Sequence, residues 1–128
     1  LHLGKVDAAH AIFLRALAVA PAEGEVRFVL TALAHVHMIK GAYEEALGFA
    51  TRSLTVNRHF DATYWMLIAG NAHLGRMSEA HEYIRQLREL VPDAAIRRIR
   101  EGQHDRHPDR MANILEGLRR AGMPEESP

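Results

Sequence analysis

The sequence predicts an all-α fold in which antiparallel helix pairs stack into a superhelix, an α-solenoid closed by a C-terminal helical cap. Three observations predict it. Gly41, Ala46 and Leu33 recur as Gly75, Ala80 and Leu67, each 34 residues on. Apolar residues fall at helical spacing along the chain, with no convincing alternation of the kind a strand would show. A half-copy of the unit, formed by Leu3, Gly4, Ala9, Phe13, Ala16, Leu17 and Pro21, precedes the two full ones. A fixed period of that length accommodates two helices and their turns per unit, and stacked units bury a continuous core.

In the first helix, expected over residues 5–20, Val6, Ala9, Phe13, Ala16, Leu17 and Ala20 form one apolar stripe. Ile12, Leu14 and Val19 widen it beyond what one neighbour covers, as in a helix packed on both sides. Pro21 stops it, because proline cannot continue the hydrogen-bond ladder. Ala22, Glu23 and Gly24 then form a turn carrying a three-residue insertion, since Gly4 to Gly41 spans 37 residues against 34 for the next interval.

The second helix is expected over 26–40, with Leu30, Leu33, Ala34 and His37 inward and Gly41 as a left-handed cap. The chain returns over 43–56 with Ala46, Leu47, Ala50 and Leu54 facing in. Ala46 and Ala80 are small because the helices of a pair cross closely there. Residues 61–74 and 77–91 repeat the arrangement around Gly75. Tyr64, Leu67 and Ile68 fill the first of these helices, and Ala80, Ile84, Leu87 and Val91 the second. Pro92 ends the register. A short helix over 94–100 presents Ile96 and Ile99, and 102–107 is a polar loop. Pro108 opens a last helix, where its missing N–H costs nothing, with Met111, Ile114, Leu115 and Leu118 as its stripe and Gly122 and Pro124 as its stop. Residues 125–128 are expected to be disordered. The organisation is thus the second helix of a truncated repeat over 1–23, repeats over 24–60 and 61–92, and cap helices with a tail over 93–128.

Composition narrows the function classes. Hydrophobic residues make up 48% of the 128, enough for a continuous core, and Lys plus Arg balances Asp plus Glu at 16 each. A nucleic-acid binder needs a basic excess to neutralise phosphate, and this chain has none overall. With no Cys there is neither a disulfide framework nor a thiolate metal site. No apolar run approaches the roughly 18 residues that span a bilayer. No nucleic-acid and no membrane partner is expected, and the expected location is cytoplasmic. The first residues, Leu-His-Leu-Gly-Lys, lack Met and any signal-peptide pattern. The chain therefore reads as the C-terminal piece of a longer protein.

The period and its residue types resemble tetratricopeptide repeats. The C-terminal third is more specific. Leu115-Glu116-Gly117-Leu118-Arg119-Arg120-Ala121-Gly122-Met123-Pro124-Glu125 resembles the tail of bacterial class III adenylate/guanylate cyclases that carry a C-terminal tetratricopeptide region, and of related signalling proteins. Leu90-Val91-Pro92-Asp93, Gly41-Ala42-Tyr43-Glu44-Glu45-Ala46 and Leu74-Gly75-Arg76 are similar to the same group, so the resemblance covers nearly the whole chain. It implies a regulatory or scaffolding region that binds a protein or peptide, or an upstream domain of its own chain. The sequence departs from the pattern at Arg58, where a proline is usual, at the insertion near Gly24, and at Asn71, where an aromatic is common. Asn71 is expected to leave a gap or a buried polar group. The alternative is a free-standing repeat adaptor with no attached enzyme.

In such arrays the first helix of each pair lines a concave groove. Helical geometry directs Phe28, Thr31, His35 and Met38 to it from one repeat, and Ala62, Trp65, Ala69 and His73 from the next. Phe28 and Trp65 are candidate peptide anchors there. The competing reading is that they pack against neighbouring helices or the C-terminal segment. These faces lack the Lys, Arg and Asn of a carboxylate clamp, so an apolar peptide or an intramolecular partner fits better. The unpartnered first helix also leaves an apolar face through which copies could associate.

Nine His residues raise a metal reading. His35 and His37 turn to different helix faces, and His104 and His107, with Asp105 and Asp109, read as a solvated loop rather than three or four converging ligands. The basic run Arg97, Arg98 and Arg100 is flanked by Asp93, Glu101 and Asp105 and reads as ion-paired. Adjacent Glu44 and Glu45 diverge on a helix, and there is no phosphate loop or nucleophile elbow. No catalytic, cofactor or metal residue is assigned, and the chain is not expected to be an enzyme.

Overall fold

The computed structural model describes residues 3–18, 23–102 and 108–127. These residues form seven α-helices and one 3₁₀ turn, with no strand among them. The helices are α1 (Leu3–Ala18), α2 (Glu23–Lys40), α3 (Tyr43–Val56), α4 (Asp61–His73), α5 (Met77–Leu90), α6 (Ile96–Glu101) and α7 (Ala112–Arg120). The 3₁₀ turn, Pro108–Met111, leads into α7. The chain is all-α.

Three helices end in the same way, for a reason that their glycines supply. Gly41, Gly75 and Gly122 adopt φ of 75°, 77° and 89°, a left-handed backbone that only glycine enters without a Cβ penalty. Each terminus then closes with a pair of bonds to otherwise orphaned carbonyls: Gly41 N to Met38 O and Ala42 N to His37 O, Gly75 N to Ala72 O and Arg76 N to Asn71 O, Gly122 N to Arg119 O and Met123 N to Leu118 O. After Gly41 and Gly75 the next helix begins within two residues, so the chain folds straight back on itself.

Packing follows chain order. Each helix from α1 to α4 packs on the next, and α2 also touches α4. Most of the predicted inward residues of α2 to α5 are buried, whereas Leu54, Val91 and, in α1, Ala9, Phe13, Ala16 and Leu17 are half-buried. Leu33, Ala34, Ile68, Ala80 and Leu87 are fully buried, and Ala46, Ala50 and Leu67 nearly so. Fully burying such aliphatic side chains contributes about 1.5–3 kcal/mol each for the larger ones, so these interhelical seams carry the fold. In α1, Val6 is buried while Ile12 and Leu14 remain exposed at 55% and 43%.

Three expectations are corrected. Gly24 belongs to a helix rather than a turn, since α2 starts at Glu23 and takes the extra residues into its first turns. Asn71 is a buried polar group, as expected, and it is satisfied within its own helix: its Nδ2 donates to the Leu67 carbonyl one turn back at 2.8 Å. No buried side-chain N or O among the described residues lacks a partner. Residues 125–127 are held in place: Ile96 N and Arg97 N at the start of α6 donate to the carbonyls of Pro124 and Glu125, both at 2.9 Å. Ser127 Oγ donates to Asp93 O, and Arg97 and Arg119 pair with Glu126 and Glu125. Finally, α7 does not simply close the end of the stack; it packs on α4 and, less extensively, on α2. Pro21, Val19, Ala20 and Ala22, and the loop containing His104, Asp105 and His107, lie outside the described residues.

Candidate functional site

The face shared by α2 and α4 is where the eight predicted groove residues meet, and α7 divides them. On one side, Phe28, Thr31, His35, Ala62 and Trp65 line an open groove of about 400 Å³. Phe28 stands at its edge, 63% exposed. On the other side, Met38 and Ala69 are fully buried and therefore line no open groove. His73 is half-buried, with its ring stacked on Tyr43 at 4.2 Å and its Nε2 bonded to the Asn113 carbonyl at 2.7 Å.

The division has a clear physical cause. Asn113, at the start of α7, donates from Nδ2 to the Met38 carbonyl at 2.8 Å. Gly117 sits against the backbone of Ala69, and Ile114 and Leu118 are buried. His35 Nε2 meets the carbonyl of Arg110 at 3.3 Å in the turn before α7. The C-terminal segment thus occupies half of the face, and its near edge, Met111 and Ile114, becomes a wall of the half left open.

Sequence reasoning missed several groove residues. Phe60, Asp61, Met66, Met111 and Ile114 line it as well. Phe60 was hidden because it precedes α4 rather than lying on its face. Met111 and Ile114 were legible as a buried stripe, but nothing in that stripe names the surface it covers.

Beneath the groove, three hydroxyls link three helices. Thr31 Oγ1 and Ser53 Oγ lie 2.9 Å apart, and Ser53 Oγ and Thr63 Oγ1 3.5 Å apart, with Ser53 and Thr63 fully buried. The rim is lightly charged. Arg27 lies over the Phe60 ring at 5.0 Å, and Tyr64 donates its hydroxyl to Arg58 O at 2.8 Å while burial pushes its pKa up. Arg97 pairs with Glu101 and Arg98 with Asp93, so two of the three arginines in the basic run are ion-paired and Arg100 is exposed. Among the described residues no group of three or more His, Asp or Glu is placed to hold a metal ion. No helix among them is long and apolar enough to cross a membrane. The chain matches no protein-family model, no curated protein and no solved structure.

Proposed function

We propose that this chain is a protein-interaction module of the tetratricopeptide type, serving as the non-catalytic regulatory or scaffolding region of a larger bacterial signalling protein such as a nucleotide cyclase. It docks an apolar peptide segment, from a partner or from an upstream domain of its own chain, in the open groove beside Phe28 and Trp65. The observation that carries this reading is Phe28, an aromatic side chain left 63% exposed at the edge of a concave apolar surface. Large aromatics that can be buried on contact are the usual energetic anchors of interfaces. The left-handed glycines 34 residues apart, with sequential packing of α2 to α5, support the repeat type.

Panning a displayed library of random peptides on the full chain tests it. The expected result is a set of apolar peptides whose binding is lost in Phe28→Ser and Trp65→Ala while the far-ultraviolet circular dichroism is kept. Recovery of no peptide, or of peptides indifferent to both substitutions, overturns it. The link to a cyclase is tested separately by reading the gene upstream of Leu1. An α/β domain with paired metal-binding Asp residues supports that link, whereas further helical repeats favour a free-standing adaptor.

A further inference from the structure

The groove beside Trp65 adjoins a second hollow of about 300 Å³, walled by Leu87, Val91, Ala95 and Ile99. Asp61 and Trp65 border both. They lie one helical turn apart on α4 and so share a face, which makes them the partition between the two hollows. Asp61 is half-buried, and its carboxylate has no hydrogen bond or ion pair to any described residue.

Among the described residues, the basic ones that line the two hollows are already engaged. Arg98, which borders the second hollow, is bound to Asp93 at 2.7 Å, and Arg27 lies over Phe60. His35, in the first hollow, faces the Arg110 carbonyl. The partition therefore presents a negative charge between a mostly apolar hollow and one in which Leu87, Val91, Ala95 and Ile99 share the lining with Arg98. A position in the first turn of α4 suits that charge through the helix dipole, but the dipole needs neither hollow. A cation brought to the partition would meet the carboxylate in partly desolvated surroundings, where attraction is stronger than in open water. It would also meet Trp65, whose indole can attract a cation.

From this charge complementarity we infer that the segment the groove takes carries one Lys or Arg flanked on both sides by apolar side chains. The cation rests on Asp61 and Trp65, and the flanking side chains enter the two hollows. This rests on the groove reading proposed above.

The peptides recovered by panning are sequenced and titrated against the full chain by calorimetry. The expected consensus holds a basic residue between apolar ones. Replacing that residue with Ala, or Asp61 with Asn, weakens binding by about tenfold or more, the scale of a charge-assisted hydrogen bond. Asp61→Lys combined with a Glu in the peptide restores it. Peptides that depend on Phe28 and Trp65 but lack a basic residue and ignore Asp61→Asn would leave the groove standing and overturn this inference. Recovery of no peptide overturns both.

Discussion

Gly117 on α7 lies so close to Ala69 on α4 that a Cβ built on the glycine would come within 2.6 Å of both the Cα and the Cβ of Ala69. Two effects oppose each other there. Alanine is favoured over glycine inside a helix by about 1 kcal/mol, whereas overpacking costs about 1–3 kcal/mol. The contact wins, because the obstructing atoms include backbone, which cannot swing aside. Gly117→Ala therefore lowers the urea midpoint. Gly48→Ala, in α3 with nothing within 4 Å of the added methyl, raises it. A midpoint raised in both variants would show that α7 is not seated on Ala69.

Ser53 is the middle of the hydroxyl chain that joins α2, α3 and α4 through Thr31 and Thr63. Ser53→Ala leaves the fully buried Thr63 hydroxyl without that partner, and an unsatisfied buried polar group costs about 1–3 kcal/mol. Adding Thr63→Val removes the orphaned hydroxyl, so the double variant recovers part of the loss. Denaturant titration of both variants checks this. Strict additivity of two destabilising effects would show that the hydroxyls do not act as a chain.

How much of this was legible in the sequence depends on whether a residue's role is local. Gly41, Gly75 and Gly122 announced their helix ends because a left-handed cap is a property of a few consecutive residues. The stripes through Leu33, Leu67, Ala80 and Leu118 likewise follow from helical spacing alone. The seat of α7 does not, since Met111, Ile114 and Leu118 demand burial without naming the covering surface. Gly117, a mid-helix glycine, fits a close approach, but Gly48 is also mid-helix and meets nothing within 4 Å, so a glycine alone did not announce the seat. Asn71 was legible as a buried polar group, but its partner, a carbonyl of its own helix, was not. Residues 125–127 misled because their order depends on N–H groups nearly 30 positions away at the start of α6. The open half of the groove was legible at Phe28, Thr31, His35, Ala62 and Trp65. Met38, Ala69 and His73 share that helix face, but the covering segment comes from elsewhere in the chain.

Acid should loosen the contact between α1 and α2 through His10. Its ring meets the His37 ring edge-on at 4.6 Å, and burial, together with the neighbouring His37, holds its pKa below the usual histidine value. A histidine whose folded pKa is lowered binds protons more readily when unfolded. It therefore stabilises fully above the unfolded value of about 6.5 and loses that contribution as pH falls through the folded value. The thermal midpoint should drop on acidification through this window, and less so in His10→Phe, which cannot titrate. An identical pH dependence in the two proteins would remove His10 as the cause. Asp7, held low by its bond to Lys40, also loses its stabilising effect on acidification, but in the more acidic carboxylate range.

The last residues should control the short helix α6. A helix of six residues cannot stabilise itself, and the N–H groups of its first turn have no partner within it. Pro124 O and Glu125 O accept two of them, from Ile96 and Arg97. The surrounding ion pairs of Arg97 and Arg119 are exposed, and pairs of that kind contribute about 0–1 kcal/mol each. The backbone bonds are therefore the stronger tie. Deleting residues 124–128 strands both donors while keeping the Gly122 cap that ends α7. Hydrogen exchange at the Ile96 and Arg97 amides should speed up sharply, with α2 to α5 remaining protected. Because Ile96 and Ile99 are buried, the loosening should extend to the second hollow beside Trp65, which Ile99 lines. Unchanged protection across α6 in the truncated chain would mean that burial of its two isoleucines alone holds the helix.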